Sequence, residues 1–198
     1  LQLNLTDLLY STLFDIFDND VVEASLFVLK NKDIKCIEYF MNMFNISLKY
    51  MLRYFDNIIC LRNEALLLKI CHTYLQNNTI TALQNKVWKC ILKNIEFIDI
   101  DVILLLISNN YIKRNNIPYL CVLMLRFPRL RLIEKFYKGF TIEEKKVFLE
   151  ELDINQMCRI ACYGNLHNIV WISNFKEIPY KLIYLFANKS GFTNICDW

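Results

Sequence analysis

The stretch Asp99-Ile-Asp-Val-Ile-Leu-Leu-Leu-Ile107 shares its apolar spacing with an earlier stretch, Asp33-Ile-Lys-Cys-Ile-Glu-Tyr-Phe-Met41. In both, apolar residues recur at steps of three and four, which is the pattern of an amphipathic helix and not of a strand. The two stretches lie 66 residues apart. This distance is twice about 33 residues, a period typical of helical repeat proteins. The sequence therefore predicts helices that recur as repeated units.

The rest of the chain carries the same helical pattern. About twelve short segments have apolar residues at the helical period. The 198 residues include only three Gly and three Pro, and 55% of them are apolar, a composition that gives few turns for an all-β fold and enough apolar surface for a large core. We therefore expect an all-α fold, an α-solenoid of about five to six stacked antiparallel helix pairs, in a single helical-repeat domain over residues 1-198. Because the chain starts at Leu1 and not at Met, we expect it to be a fragment of a longer protein.

Local signals mark three helix ends in the second half of the chain. The tetrapeptide Thr141-Ile-Glu-Glu144 fits a capping box, in which the Thr hydroxyl and the Glu carboxylate each accept a hydrogen bond from the other residue's backbone amide. Gly139 suits the C′ position that follows a helix. Pro118 suits the first turn of a helix, where a missing N–H group is harmless.

With a period of about 33 residues, three sets of equivalent positions are apolar throughout. The second set lies three residues after the first, and the third lies eight residues before it. Such columns indicate units that bury the same face against their neighbours. The fifteen residues are Ile34, Leu67, Ile100, Ile133 and Leu166; Ile37, Ile70, Ile103, Phe136 and Ile169; and Leu26, Ile59, Leu92, Leu125 and Cys158.

The segment Asn155–Ile172 resembles the core of an ankyrin repeat. Ala161, Gly164, Leu166 and Val170 fall where that family places its first-helix Ala, its inter-helix Gly and the apolar residues of its second helix. The resemblance implies intracellular protein binding through a concave face, with exposed positions near the first helix and the following hairpin choosing the partner. It also implies that no reaction is catalysed.

Two further resemblances belong to the same repeat. Asp33–Met41 and Asp99–Ile107 look like the second helix of an ankyrin unit, and Ser108–Ile112 looks like the hairpin that follows it. Other arrangements of helices fit the pattern as well. A HEAT- or armadillo-like stack is one alternative. A compact helical bundle of the apoptosis-regulator type, which binds an amphipathic partner helix in a groove, is another.

The densest basic region of the chain spans residues 113–138. Its cations could bind an acidic protein surface, or they could follow a phosphate backbone while Phe127, Phe136 and Tyr137 stack on bases. An ordinary solvated face, with the aromatic rings in the core, is the simpler alternative. We expect another protein, with an acidic surface, as the partner, and we keep nucleic acid as the second candidate. The candidate partner-binding residues are Lys113, Arg114, Arg126, Arg129, Arg131, Lys135 and Lys138.

Residues that support catalysis are few. The chain has only two His, and it contains no Gly-rich phosphate loop, no His-Glu-x-x-His motif and no nucleophile elbow. The adjacent Cys71 and His72 cannot face the same way on a helix, so they do not form a nucleophile–base pair. We expect no enzymatic activity and no cofactor.

One set of soft ligands has the composition of a zinc site. Cys158, Cys162 and His167, with Cys196 further on, supply the ligand types that zinc prefers. However, Cys158 and Cys162 are four residues apart on the apolar stripe of one predicted helix. We therefore favour a structural role for both cysteines and expect no metal.

The longest runs without charged residues, Ile70–Asn85 and Ile160–Phe175, are too short to span a bilayer. We expect no membrane span. The eight cysteines lack the spacing of a disulfide framework, which favours free thiols in a reducing intracellular compartment, the cytoplasm or the nucleus. Heavy use of Asn, Ile and Lys indicates an AT-rich genome, such as that of a large DNA virus or a parasite.

Overall fold

A computed structural model of the chain describes residues 52, 55–60 and 63–198. These residues form eleven α-helices and one short 3-10 helix, and none of them lies in a strand. The predicted all-α class is therefore confirmed for this part of the chain. The helix predicted at Asp33–Met41 and the apolar positions at Leu26, Ile34 and Ile37 lie outside the described residues.

The chain divides into two compact units, Leu1–Ile112 and Lys113–Trp198. The single repeat domain over residues 1-198, the solenoid arrangement and the number of stacked pairs remain predictions. The described helices of the first unit are α1 (Phe55–Ile58), α2 (Glu64–Leu75), α3 (Ile80–Asn94) and α4 (Ile100–Ser108).

In the first unit, α3 packs against both α2 and α1. Polar side chains start the longer helices, because each accepts a hydrogen bond from a first-turn amide that has no partner within the helix. Asn63 accepts from Leu66 N at 3.0 Å, and Thr79 accepts from Ala82 N at 3.2 Å. The apolar stripes of these helices are buried and form the core of the unit.

The second unit contains the 3-10 helix and seven α-helices. Helix α5 packs against α6 and α7, α8 packs against α9 and α10, and α10 packs against α11. Each of these pairs joins helices that are adjacent or next but one in the chain. The helices are the 3-10 helix Arg114–Asn116, α5 (Ile117–Met124), α6 (Leu130–Lys138), α7 (Ile142–Glu151), α8 (Ile154–Cys162), α9 (Leu166–Ser173), α10 (Tyr180–Lys189) and α11 (Thr193–Cys196).

The predicted capping box at the start of α7 is confirmed. Glu144 N donates to Thr141 Oγ1 at 3.2 Å, and Thr141 N donates to Glu144 Oε2 at 2.9 Å. Pro118 lies in the first turn of α5, as predicted. Gly139 ends α6, but its φ of −89° is not the left-handed conformation of a C′ glycine. That conformation occurs at Gly164 (φ +75°), between α8 and α9, and at Gly191 (φ +81°), between α10 and α11.

Helix starts repeat with the 66-residue spacing of the two opening stretches. Helices α2 and α6 start at Glu64 and Leu130, and α4 and α9 start at Ile100 and Leu166. Among the described members of the 33-residue register, most are buried, whereas Leu92 is 45% exposed. The spacing is therefore visible in the helices, but not every position of the register faces a core.

Candidate functional site

Three of the seven predicted basic residues form one surface on α6. Arg131, Lys135 and Lys138 stand at i, i+4 and i+7, so they share one side of the helix. All three are exposed, while Ile133 on the opposite side of α6 is completely buried. We call Arg131, Lys135 and Lys138 the basic face. Glu134 lies half-buried on the same side of the helix.

The charges of the basic face are available to a partner. Within residues 63–198, none of its three side chains approaches a carboxylate closely enough to form an ion pair. Cations that are exposed and unpaired keep their full charge for a partner, although salt screens them.

Arg114, in contrast, is already paired. Its Nε donates to Glu144 Oε1 at 2.6 Å and its Nη2 donates to Glu144 Oε2 at 3.0 Å, a bidentate pair between the 3-10 helix and the start of α7. The hydrogen bonds from Arg114 hold the pKa of the Glu144 carboxyl below its usual value. The same carboxylate closes the capping box with Thr141. Arg114 is therefore a structural residue, and its charge is largely neutralised.

Arg126 also points into its own unit. Its Nη2 donates to Gln156 Oε1 on α8 at 2.7 Å. Burial lowers the pKa of its guanidinium, and the positive charge of nearby Arg159 lowers it further. Arg126 therefore holds α5 to α8 and contributes little to an outer surface.

The remaining two predicted cations are not on the basic face. The Arg129 guanidinium lies 5.3 Å from the centroid of the Phe127 ring, a cation–π contact that ties it to the end of α5. Lys113 and Arg129 both make further interactions within the protein. The structure thus separates the seven residues into a basic face of three and four that interact within the protein.

The aromatic rings of the basic stretch are engaged by other rings. Tyr137 stacks on Phe175 with ring centroids 5.3 Å apart and meets the edge of Trp171 at 5.4 Å. Phe127 meets Tyr163 edge-on at 5.3 Å. Phe127 and Tyr137 are half-buried. Because both rings already contact other rings, they are not poised for stacking on bases.

Two asparagines hold the end of α5, a contact that sequence reasoning missed. Asn168 on α9 donates through Nδ2 to Leu125 O and to Phe127 O, the latter at 3.0 Å. Asn165 donates to the carbonyl of Arg126, the residue between Leu125 and Phe127. The only signal in the sequence is two Asn residues three apart at the start of a helix, which is typical of an ordinary cap.

The proposed zinc ligands are not brought together. Cys158 is buried and His167 is exposed. In the part of the chain that the structure describes, no three His, Cys, Asp or Glu side chains are close enough to hold a metal ion. Burial raises the pKa of the Cys158 thiol.

Three further thiols, those of Cys71, Cys90 and Cys121, are poor nucleophiles. Burial raises the pKa of Cys71, Cys90 and Cys121 to about 12, so each remains a neutral thiol at physiological pH. Cys71 is completely buried while His72 is exposed, in agreement with the prediction that the two cannot face each other.

Helices in the described ranges are too short and too polar to cross a membrane. Comparisons with protein-family models, with curated proteins and with solved structures each find no match. The basic face must therefore be interpreted from its own geometry.

Proposed function

We propose that the protein is a non-enzymatic protein-interaction scaffold built from ankyrin-like helical repeats, and that its basic face binds an acidic surface of a partner protein. The observation that carries this proposal is the basic face itself: three exposed cations on one side of α6, none of them ion-paired with a described residue. Positive and negative surfaces that match in this way fix orientation and accelerate encounter.

The packing of the helices supports a scaffold. The closest helix pairs within each unit are neighbours or next-but-one neighbours in the chain, which is how stacked repeats gain stability. In such stacks the exposed charged residues do not contribute to the core, so they can bind a partner and determine its identity. The basic face lies on a helix whose opposite side is buried at Ile133, so it is held rigidly by the core.

A protein fits the basic face better than nucleic acid does. Glu134 on the same side would repel a phosphate backbone, and Phe127 and Tyr137 are occupied by other rings. Three phosphate contacts would give only a shallow dependence of affinity on salt, with a slope of about −3 on logarithmic axes. Nucleic acid therefore remains the second candidate and an outcome of the test.

The size of the electrostatic contribution limits what the basic face does alone. Exposed ion pairs contribute about 0.2–1 kcal/mol each, so three of them supply about 0.6–3 kcal/mol, or about 3- to 150-fold in affinity. The partner therefore requires additional apolar contacts, and the basic face acts chiefly in its orientation and selection.

The proposal includes a reducing intracellular location. Cys71 and Cys121 are completely buried, where a thiol packs as a small hydrophobe. Cys90 is also buried, and its thiol donates to Asp56 Oδ1 at 2.7 Å. Their raised pKa values also support a structural and not a catalytic role.

A charge-reversal variant tests the proposal. The triple variant Arg131→Glu, Lys135→Glu, Lys138→Glu inverts the basic face, and the triple variant Arg131→Lys, Lys135→Arg, Lys138→Arg keeps its charge as a matched control. Each is immobilised and exposed to nuclease-treated cell extract, and the retained proteins are quantified by mass spectrometry. We expect acidic proteins to be retained by the wild type and the control and lost by the reversed variant.

Two results would overturn this interpretation. If the reversed variant retains the same proteins, the basic face does not select the partner. If binding is recovered only without nuclease, and a labelled oligonucleotide binds the wild type with a salt-dependent affinity that the reversed variant loses, nucleic acid is the ligand.

A further inference from the structure

Helix α10 exposes an unusual amount of apolar surface. Seven of its ten residues are apolar, yet the only apolar side chains that it buries are Ile183 and Ala187. A helix that is apolar on most of its sides is ordinarily covered on most of its sides. The exposed apolar residues are Tyr180 at 60%, Leu182 at 39%, Tyr184 at 49%, Leu185 at 58% and Phe186 at 41%.

Helix α8 shows what a covered helix of this unit looks like. The buried pair Met157 and Ala161 in α8 corresponds to the buried pair Ile183 and Ala187 in α10, since both pairs are four residues apart. With the two helices matched in this way, Ile160 corresponds to Phe186. Ile160 is completely buried, whereas Phe186 is 41% exposed.

A second matched position gives the same result. Cys158 in α8 is buried, and its counterpart Tyr184 in α10 is 49% exposed. Helix α8 has two helices packed against it, α9 and α10, whereas α10 has α8 and only the one-turn helix α11. The comparison therefore indicates that α11 leaves Tyr184 and Phe186 of α10 uncovered, and it suggests a longer helix as the covering element.

Two lysines near the exposed apolar residues indicate the charge that a partner should carry. Lys181 and Lys189 stand four residues before and four residues after Leu185, and both are exposed. Neither forms an ion pair with any described residue. Helix α10 itself contains no Asp or Glu. We call Lys181, Leu182, Leu185, Phe186 and Lys189 the α10 face.

We propose that the α10 face docks an amphipathic α-helix of a partner protein, one that carries carboxylates at both ends of its apolar stripe. The apolar stripe covers Leu182, Leu185 and Phe186, and the carboxylates pair with the two lysines. This surface is separate from the basic face, and the proposal does not depend on the function assigned to that face.

A second copy of the chain is a poor occupant for the α10 face. Lys181 and Lys189 are placed symmetrically about Leu185. Antiparallel pairing of two α10 helices around Leu185 would therefore set the Lys181 of each copy beside the Lys189 of the other, with no carboxylate on either helix to offset them. Like charges in such positions disfavour the contact.

The test uses two synthetic helical peptides that share one Leu-rich apolar stripe. One carries Glu at both ends of the stripe and the other carries Lys at the same positions. Fluorescence anisotropy of each labelled peptide is measured with the full chain. We expect the Glu peptide to bind at least about tenfold more tightly, because two attractive pairs are replaced by two repulsive ones.

Variants of exposed residues complete the test. Lys181→Glu with Lys189→Glu should invert the preference in favour of the Lys peptide, and Leu185→Asp should weaken binding of both peptides by about tenfold or more. Reversal of the basic face at Arg131, Lys135 and Lys138 should leave peptide binding unchanged, so a failure here is distinguishable from a failure of the proposed function.

Four outcomes would overturn the inference. The first is that neither peptide binds, and the second is that both bind equally. The third is a dimer in sedimentation velocity that Leu185→Asp dissociates, which would identify a second copy as the occupant. The fourth is binding to phosphatidylserine-containing vesicles that Leu185→Asp abolishes, which would identify a lipid surface.

Discussion

Replacement of Asn168 by Ala should destabilise the second unit more than any other single loss of a polar side chain there. Asn168 is 2% exposed, and it donates to the carbonyls of Leu125 and Phe127 at the end of α5. These two carbonyls differ in whether they have a second hydrogen-bond donor. The Phe127 carbonyl has one, since Arg129 N donates to Phe127 O at 2.7 Å. Pro128 has no N–H group that could donate to Leu125 O. The Leu125 carbonyl therefore relies on Asn168.

The expected loss of stability in Asn168→Ala is the sum of the effects at the two carbonyls. Loss of the bond to Phe127 O removes about 0.5–1.5 kcal/mol, and leaving the buried Leu125 carbonyl without a partner costs about 1–3 kcal/mol. We therefore expect Asn168→Ala to lower the free energy of unfolding by about 2–4 kcal/mol, measured by urea titration with far-UV circular dichroism. Asn174→Ala is the matched control, because Asn174 is exposed and its side chain bonds only to carbonyls of its own helix. Its expected cost is below about 0.5 kcal/mol.

The variant Asn168→Asp separates hydrogen bonding from packing. A buried carboxylate facing two carbonyl oxygens is unfavourable, whereas the protonated acid can still donate. The pKa of the introduced carboxyl in the folded state would then lie above its unfolded value, so the variant should be most stable at low pH and lose stability as the pH rises through that range. A loss of less than about 0.5 kcal/mol for Asn168→Ala, or pH-independent behaviour of Asn168→Asp, would refute the role assigned to this side chain.

Three further predictions concern the fold. Glu144→Gln should lower the free energy of unfolding by about 1–2 kcal/mol, because it weakens the capping box and the ion pair with Arg114. Since the folded-state pKa of Glu144 is lowered, the wild type should lose this stability as the pH falls below about 4.5. Urea titrations at several pH values should show that loss for the wild type and not for the variant. Gly164→Ala should cost more than Gly191→Ala in thermal melts, because both have positive φ but only at Gly164 does the ring of Phe192 occupy the place of a Cβ. Cys71 and Cys121 should resist iodoacetamide at about pH 7.5 in the folded protein and react fully in urea, as quantified by mass spectrometry; rapid labelling without urea would contradict their burial.

Local parts of the fold could be predicted from the sequence. The capping box needs only Thr141 and Glu144, which lie within one helical turn, so the pattern contains the whole interaction. That Cys71 and His72 lie on different sides of a helix follows from helix geometry alone. Gly139 shows the limit of such rules. A glycine after a helix predicts left-handed backbone, yet the chain passes Gly139 in a right-handed turn toward the cap at Thr141.

The sequence predicted only part of the basic face, because contacts between residues far apart in the chain decide which cations of residues 113–138 stay exposed. Arg126 and Arg131 look equivalent in the basic stretch, but Gln156, 30 residues after Arg126, turns Arg126 inward. Asn168 reaches a carbonyl 43 residues before it. Leu92 fits the apolar register and still faces solvent. The sequence shows that α10 is rich in apolar residues. It does not show which side of α10 packs against α8 and which side remains exposed.

The affinity of the basic face for an acidic partner tests the account most directly. The acidic protein recovered in the capture experiment is purified and titrated calorimetrically with the wild type, with the Arg131→Glu, Lys135→Glu, Lys138→Glu variant and with the charge-preserving control. The account predicts that reversal weakens binding by about tenfold or more, and that added salt weakens the wild type and the control alike. Equal affinities for the reversed and the wild-type protein would contradict it.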